Sequence, residues 1–297
     1  MKTKDILLAT RPWSFPASVM PVLIGAAYAF YLQKEDELPI LWWLSPLILM
    51  AAVAFHAAGN IISDYHDAKN GVDKLESYGD TNLMLNGTFS GKTFLMMGLG
   101  WLASAIALGL IILFYSSWPL ACFGVFGIAC TLVYYKMKYR GWGDVVILFS
   151  FGICIINGTV YALTGMLNLQ SFCISLPVAL LTTAILHANN TRDMPLDKES
   201  GIKTFSMILG LKRAKSYYYL LVCAAYVIEI ILIVIGYVPA WSTLTLLSLP
   251  LVLKNFNQLH KVTPASLERI AHLDVSTAQL TSVFAILSAV GFIIGTM

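Results

Sequence analysis

The sequence predicts an all-α polytopic membrane protein with nine transmembrane helices and its N-terminus inside, built as two pseudo-repeated four-helix halves plus a ninth helix. Three observations carry this expectation. Hydrophobic residues make up 58% of the 297 residues and charged residues 12%, whereas soluble domains are about a quarter charged. Nine apolar stretches approach the roughly 20 residues that a membrane helix needs. Basic residues gather almost entirely in alternate loops, the pattern that fixes orientation in a bilayer. The chain is expected to be a single integral membrane domain, with repeat halves at about 10–140 and 141–260 and the extra helix at about 275–297.

The first span is read at 14–32. It follows Lys2, Lys4, Asp5 and Arg11 and is long enough to remain as an anchor. The second, 41–62, runs directly into an acidic stretch. Spans at 94–115, 118–135, 145–163, 172–190 and 217–237 follow, then a short one at 241–253 and a last at 276–296. Between the first two spans lies one basic residue, Lys34, beside Glu35, Asp36 and Glu37. The links after the third, fifth and seventh spans contain no Lys or Arg. All the other members of the 19 Lys and Arg residues fall on the opposite side. That side is therefore expected to be cytoplasmic, with the chain in the cell inner (cytoplasmic) membrane.

Some chemistries are not indicated. The five cysteines (Cys122, Cys130, Cys154, Cys173 and Cys223) sit in apolar runs without C-x-x-C spacing, so neither a disulfide framework nor a zinc site is expected. The chain has no P-loop, no G-x-S-x-G and no His pair at metal-ligand spacing. Topology accounts for the basic residues, so no nucleic-acid partner is expected. No obligatory protein partner is evident either.

The loops after the second and sixth spans are the long ones on the basic side, and long ordered loops tend to carry function. Both open on acids with a shared skeleton. Asn60 precedes Asp64 by four and Asn189 precedes Asp193 by four; Asp67 precedes Gly71 by four and Asp197 precedes Gly201 by four. A charge follows each glycine, Asp73 in one motif and Lys203 in the other. Residues three or four apart share a helix face, so Asn60, Asp64 and Asp67 should project together, as should Asn189, Asp193 and Asp197. Pro195 works against a single helix through Asp197.

Four converging carboxylates repel one another in a partly desolvated site, and a divalent cation relieves that repulsion. Mg²⁺ takes oxygen ligands, keeps waters, and is commonly shared between carboxylates and substrate phosphates. Arg192, Lys198 and Lys203 do not suit a bare cation site. They suit an anion bridged to metals, and the pattern reads as a Mg²⁺–diphosphate clamp.

At these motifs the chain resembles the UbiA superfamily of intramembrane prenyltransferases. Asn60-x3-Asp64-x2-Asp67 and Asp193-x3-Asp197 match its two acidic signatures. Within it the chain is most similar to the 1,4-dihydroxy-2-naphthoate polyprenyltransferases of menaquinone synthesis. That likeness rests on Arg11-Pro-Trp-Ser-Phe-Pro16, on the run from Ser63 to Asp73, on Asn189 to Asp193 leading to Thr204, and on Tyr139-x-Gly-x-Gly-Asp144. One departure concerns the acceptor: residues 77–87 contain no Arg or Lys, where naphthoate enzymes typically carry a basic residue.

The resemblance implies transfer of a polyprenyl group from an allylic diphosphate to an aromatic acceptor, with C–C bond formation. It implies that Asp64, Asp67, Asp193 and Asp197 hold Mg²⁺, while Asn60 and Asn189 orient ligands. Arg192, Lys203 and Arg11, with Asn189 and Asn190, would bind diphosphate. Asp73, Tyr139 and Asn157 are weaker substrate-contact candidates. The acceptor remains open between 1,4-dihydroxy-2-naphthoate, 4-hydroxybenzoate, haem and other quinone or lipid precursors. A reading from a different class, a transporter using paired carboxylates, is disfavoured because the acids lie at the membrane edge rather than its midplane.

The remaining polar residues first invite structural readings. Asn157 and Glu229 lie within spans, where polar groups hydrogen-bond between helices. His56 and His187 precede the motifs and could support them from behind. Tyr134, Tyr135 and Tyr139 fit an interfacial aromatic belt. Gly291 and Gly295 fit close helix packing.

Overall fold

The computed structural model describes residues 3–35, 38–73 and 82–297. Lys2, Asp36, Glu37, Lys74 and the part of 77–87 up to Thr81 lie outside the described residues. Among those described there is no strand. Eight helices are long and apolar enough to cross a membrane.

The order is α1 (Thr3–Ala9), α2 (Pro16–Glu35), α3 (Ser45–Lys69), α4 (Gly91–Tyr115), α5 (Leu120–Lys138), α6 (Gly143–Ile147), α7 (Ile155–Thr164) and α8 (Leu169–Arg192). Then come α9 (Met194–Glu199), α10 (Phe205–Val234), α11 (Leu249–His260) and α12 (Leu273–Gly295). Local chemistry sets the boundaries. Ser90 accepts from the Thr93 N–H to start α4. Asn168 and Ser171 form a reciprocal capping box at the start of α8.

Three of the expected spans depart from regular α-helix. The fifth is not one regular α-helix: Leu148–Cys154 is a π-helical turn between α6 and α7. Gly152 sits at its closest approach to α8, where an added Cβ would lie 2.1 Å from Ala179 Cβ. The seventh extends back to Phe205 and is kinked at Gly210 (φ 70°). The eighth, at 241–253, is not among the long apolar helices; it divides between a 3₁₀ stretch, Ala240–Ser248, and α11.

Contacts define the two ends of the bundle. At one end Arg11 meets Asp64, Lys138 meets Asp67, Arg192 meets Asp274, and Ser200 Oγ lies 3.2 Å from the carbonyls of both Gly71 and Val72. At the other end Trp42 Nε1 donates to Gln33, Trp43 packs edge-on against Tyr115, and Gln170 donates to the Tyr237 carbonyl. The charged residues therefore collect at one end and the indole-rich belt at the other, as amphipathic rings do at a membrane interface.

The main core lies among α8, α10, α11 and α12 with the start of α2, around Leu181, Val222, Ala225 and Phe284. Small residues bring backbones close. A Cβ on Gly291 would stand 2.8 Å from the Ser242 backbone, and one on Gly295 would stand 2.4 Å from Pro239, which agrees with the packing role expected for both. By contrast, α5 has no buried residue. It stands against a cavity rather than in the core.

Candidate active site

A cavity of about 480 Å³ opens at the charged end and runs between α2, α3, α4, α5, the α6–α7 span and α8. Its walls divide by depth. At the mouth are Arg11, Asn60, Asp64, Asp67, Asp73, Lys138, Asn189, Asp193, Asp197 and Asp274. Deeper, Ile48, Phe55, Leu110, Phe123, Ile128 and Ile155 make it apolar. Along α3 alone, from Asp67 to Ile48, it extends about 28 Å at the helical rise per residue, close to the thickness of a hydrocarbon core.

The acids of the first motif leave the last turns of α3 on one face. Arg11 grips Asp64 bidentately, Nε donating to Oδ2 at 3.0 Å and Nη2 to Oδ1 at 2.7 Å. Arg11 itself adopts left-handed backbone (φ 53°, ψ 62°) at the turn between α1 and the Pro12–Ser14 turn, which is uncommon for a residue other than glycine. Asp67, 3% exposed, accepts from Lys138 Nζ at 2.9 Å and from Tyr139 Oη at 2.6 Å. Burial first, and the Asp67 charge second, hold the Tyr139 phenol well above its usual range. Asn60 Nδ2 donates to the Thr10 carbonyl and to Ser14 Oγ, so the amide is anchored by its nitrogen.

In the second motif the helix breaks next to Pro195. Helix α8 stops at Arg192, Asp193 forms the junction, and Asp197 lies on the separate α9. Asn189, Asp193 and Asp197 still reach the same cavity. Asp193 carries the counterpart of the Arg11 clamp: Arg192 Nε donates to Oδ1 at 2.7 Å and Nη2 to Oδ2 at 2.8 Å. Arg192 also bonds Asp274 at 2.9 Å, the Ala271 carbonyl at 3.2 Å, and the Asn189 side chain. Asp197 accepts from Thr204 Oγ1 at 3.0 Å. Burial pushes the Asp197 carboxyl up to about 6, against the pull of Lys138 and Thr204 and with help from Asp193 and Asp67.

The backbone repeats too. Val72 N–H returns to the Asp67 carbonyl and Ile202 N–H to the Asp197 carbonyl. Gly71 and Gly201 both take positive φ, 70° and 73°, where a Cβ would be strained.

Several proposed ligands stand elsewhere. Arg192 is buried and committed to carboxylates, not facing the cavity. Lys203 is exposed and outside the cavity lining; its backbone N–H donates to the Tyr139 carbonyl. Asn190 Nδ2 points at Asp144. Asn157 donates to the Ile153 carbonyl of its own span and accepts from Ser171 on α8, and Glu229 accepts from Ser288. His187 is locked between Asp144 at 2.7 Å and the Ala214 carbonyl at 3.0 Å.

The principal omission was Lys138, read from sequence only as a topology charge. Its signal was its place one residue before Tyr139, at the inner end of the fourth span. Asp274 gave no signal, because it belongs to neither motif.

Among the described residues no three His, Cys, Asp or Glu side chains stand close enough to hold a metal as they are. The donor chemistry nevertheless fits Mg²⁺: hard carboxylate oxygens on both sides of one mouth, an anchored amide, and cations that an entering anion can draw off.

Among the described residues the chain is an all-helical bundle with paired aspartate motifs at the mouth of an apolar cavity, which defines a class of polytopic membrane proteins with an acidic site at one end. Residues 18–273 match the UbiA prenyltransferase family, and the chain belongs to it. That membership removes the transporter reading. The chain is 33% identical over 298 residues to a 1,4-dihydroxy-2-naphthoate octaprenyltransferase of Bacillus subtilis, covering 96% of this chain and 91% of that one. It is 31% identical over 304 residues to UbiA prenyltransferase domain-containing protein 1 of Dictyostelium discoideum, covering 99% and 88%. In fold it is similar to a UbiA homolog from Aeropyrum pernix K1 (TM-score 0.71, 16% identity, 98% and 99% coverage). It is similar also to one from Archaeoglobus fulgidus bound to GPP and Mg²⁺ (TM-score 0.70, 14% identity, 97% and 99% coverage).

Proposed function

We propose that this protein transfers a polyprenyl group from an allylic prenyl diphosphate to 1,4-dihydroxy-2-naphthoate in menaquinone synthesis, with Mg²⁺ as cofactor. The observation that carries the reading is the pair of arginine-clamped aspartate motifs facing each other across the mouth of a deep apolar cavity. The Bacillus subtilis relative supports the acceptor, and the Archaeoglobus fulgidus homolog supports the donor class and the metal.

In this reading Asp64, Asp67, Asp193 and Asp197 hold the metal, and Asn60 and Asn189 orient its ligands. Bound Mg²⁺ supplies neutralisation of the charge that develops on the leaving diphosphate. The protein's own cations do the rest of the anion binding. Arg11 and Lys138, now seated on Asp64 and Asp67, turn to diphosphate oxygens when the carboxylates are otherwise engaged. Arg192 stays on Asp193 and Asp274 and fixes the second motif in place. The apolar walls hold the prenyl tail and keep water from the allylic cation. Helix α5, with no buried residue, leaves that tail a side exit to lipid.

The membrane arrangement follows the same logic. The segment 240–260 starts beside Tyr237, at the indole-rich end, and finishes where Lys215 Nζ binds the His260 and Val262 carbonyls. Nine 3₁₀ residues and twelve α residues rise about 36 Å, which is enough for a ninth crossing. The charged end is then cytoplasmic by the positive-inside rule, and the matched clamps and turns support the reading of the chain as one membrane domain, with two repeated halves plus a last helix.

A second acceptor, such as 4-hydroxybenzoate or another quinone precursor, is favoured by the lack of Arg or Lys in residues 77–87. The purified protein should be offered both rings with one prenyl diphosphate and Mg²⁺. The reading expects prenylated naphthoate product; prenylated 4-hydroxybenzoate alone would replace the acceptor.

A further inference from the structure

The two buried histidines that precede the motifs look alike in sequence but are built differently. His187 is fixed to a carboxylate and a backbone carbonyl, away from the cavity. His56 lines the cavity. It sits two turns deeper along α3 than Asp64, about 12 Å by helical rise, on the membrane side of the proposed diphosphate position.

Its surroundings form a chain of hydroxyls. His56 Nε2 lies 3.2 Å from Ser14 Oγ, and Nδ1 lies 3.1 Å from Ser18 Oγ. The Ser14 hydroxyl also reaches the Arg11 carbonyl at 2.7 Å, and the Ser18 hydroxyl the Phe15 carbonyl at 3.1 Å. With both serine protons on those carbonyls, both serine oxygens accept, and a doubly protonated imidazole is fully satisfied. With a neutral imidazole, one serine hydroxyl turns to donate to it. The network therefore has a hydrogen-bonded arrangement for either state. Ser14 also lines the cavity. Phe151, from the π-helical turn, packs edge-on against the imidazole at 4.6 Å and lines the cavity as well.

A second feature lies on another wall. Thr182 on α8 lines the cavity three turns deeper than Asp193, about 16 Å by helical rise. It is 1% exposed, and its hydroxyl has no hydrogen-bond partner. A buried unsatisfied hydroxyl in a cavity wall is costly unless a ligand completes it.

We propose that Ser14, His56 and Thr182 form the subsite for a phenolic acceptor ring, and that the Ser14–His56–Ser18 relay takes the proton of its hydroxyl as the ring attacks. The inference rests on the prenyl-transfer reading above.

In the step, the C1–O bond to diphosphate breaks, the leaving group keeps the pair, and ring π electrons form the new bond to C1. The phenolic proton passes to Ser14 Oγ while the Ser14 proton passes to His56 Nε2, leaving a neutral dienone and an imidazolium. The attacked carbon then loses its hydrogen as a proton to the released diphosphate, or its carboxylate as CO₂. That bond pair restores the ring, and the phenolate oxygen retrieves the proton from the imidazolium. Thr182 donates to a second oxygen on the ring. A positioned base of this kind contributes about 10²–10⁴-fold.

The test compares wild type with His56→Gln and His56→Asn, using two acceptors: the ordinary phenol, and an electron-poor analogue already ionised at the assay pH. The relay predicts a fall in kcat of about a hundredfold or more with the ordinary phenol, an unchanged KM for prenyl diphosphate, and recovery to within a few-fold with the ionised analogue. Thr182→Val should raise the acceptor KM and leave the donor KM alone. Equal deficits with both acceptors, or no deficit in either His56 variant, would overturn the relay. If neither His56 variant folds, Ser14→Ala with the same acceptor pair decides in the same way. Failure of wild type to transfer to any acceptor would instead sink the prenyl-transfer reading itself.

Discussion

Asp197→Asn offers a sharp probe of the acidic mouth, because Asp197 is a site carboxyl outside the spans whose ionisation burial displaces, from 3.8 to about 6. A protonated carboxyl does not ligate a metal. At pH 7 a group of this kind is about nine-tenths ionised, and at pH 5 about one-tenth. If Asp197 is a ligand, the apparent Mg²⁺ affinity should fall about tenfold between pH 7 and pH 5. Isothermal titration of Mg²⁺ into the protein in detergent micelles reads this directly. Asp197→Asn should bind more weakly at pH 7 and lose this pH dependence. The metal-free fold should respond in the opposite sense. Because the folded-state value lies above the unfolded one, the stabilisation from holding that proton is complete below pH 3.8 and gone above about pH 6, and amounts to roughly 3 kcal/mol at most. The melting temperature in EDTA should therefore drop as pH rises from 5 to 7. Equal Mg²⁺ affinity at the two pH values, or the same pH slope in Asp197→Asn, would refute the assignment.

Lys138 and Lys203 separate the two candidate cations. Lys138→Met leaves the Asp67 carboxylate, 3% exposed, with Tyr139 but without its ion-pair partner; it should lose about 2–3 kcal/mol of stability and raise the KM for prenyl diphosphate. Lys203→Ala, at an exposed position outside the cavity lining, should leave both unchanged, as steady-state kinetics and thermal melts would record. Gly152→Val puts a side chain where a Cβ already stands 2.1 Å from Ala179; overpacking of about 1–3 kcal/mol should lower the melting temperature, and an unchanged melt would refute the close contact between the π-helical turn and α8.

The long apolar helices were legible because composition and loop charge act over whole segments. The lapses fall where a local feature interrupts a span. Gly152 packs hard on Ala179 where the fifth span widens into a π turn, Gly210 kinks the seventh, and the 240–260 segment mixes 3₁₀ with α. None of these changes the hydrophobic pattern that sequence reading relies on. In the site, Asp64, Asp67, Asp193 and Asp197 all reach the cavity, since periodicity places residues on a face even when Pro195 divides the helix. The cations were less legible. Lys138 and Asp274 come from helices far along the chain, and Arg192 turns out to serve its neighbour Asp193. Which of several nearby charges a carboxylate captures is a tertiary outcome that spacing does not encode. His56 and Ser14 were separated from His187 only by what surrounds each.

The central claim is that the two aspartate motifs together activate a prenyl diphosphate at the mouth of this cavity. The direct measurement is transfer of a radiolabelled prenyl group to 1,4-dihydroxy-2-naphthoate by the purified protein with Mg²⁺, for wild type, Asp64→Ala and Asp193→Ala. Wild type should give labelled product, with none in EDTA, and either variant should lose it. Full activity in either variant, or no transfer by wild type from any prenyl diphosphate to any of a panel of aromatic acceptors, would contradict it.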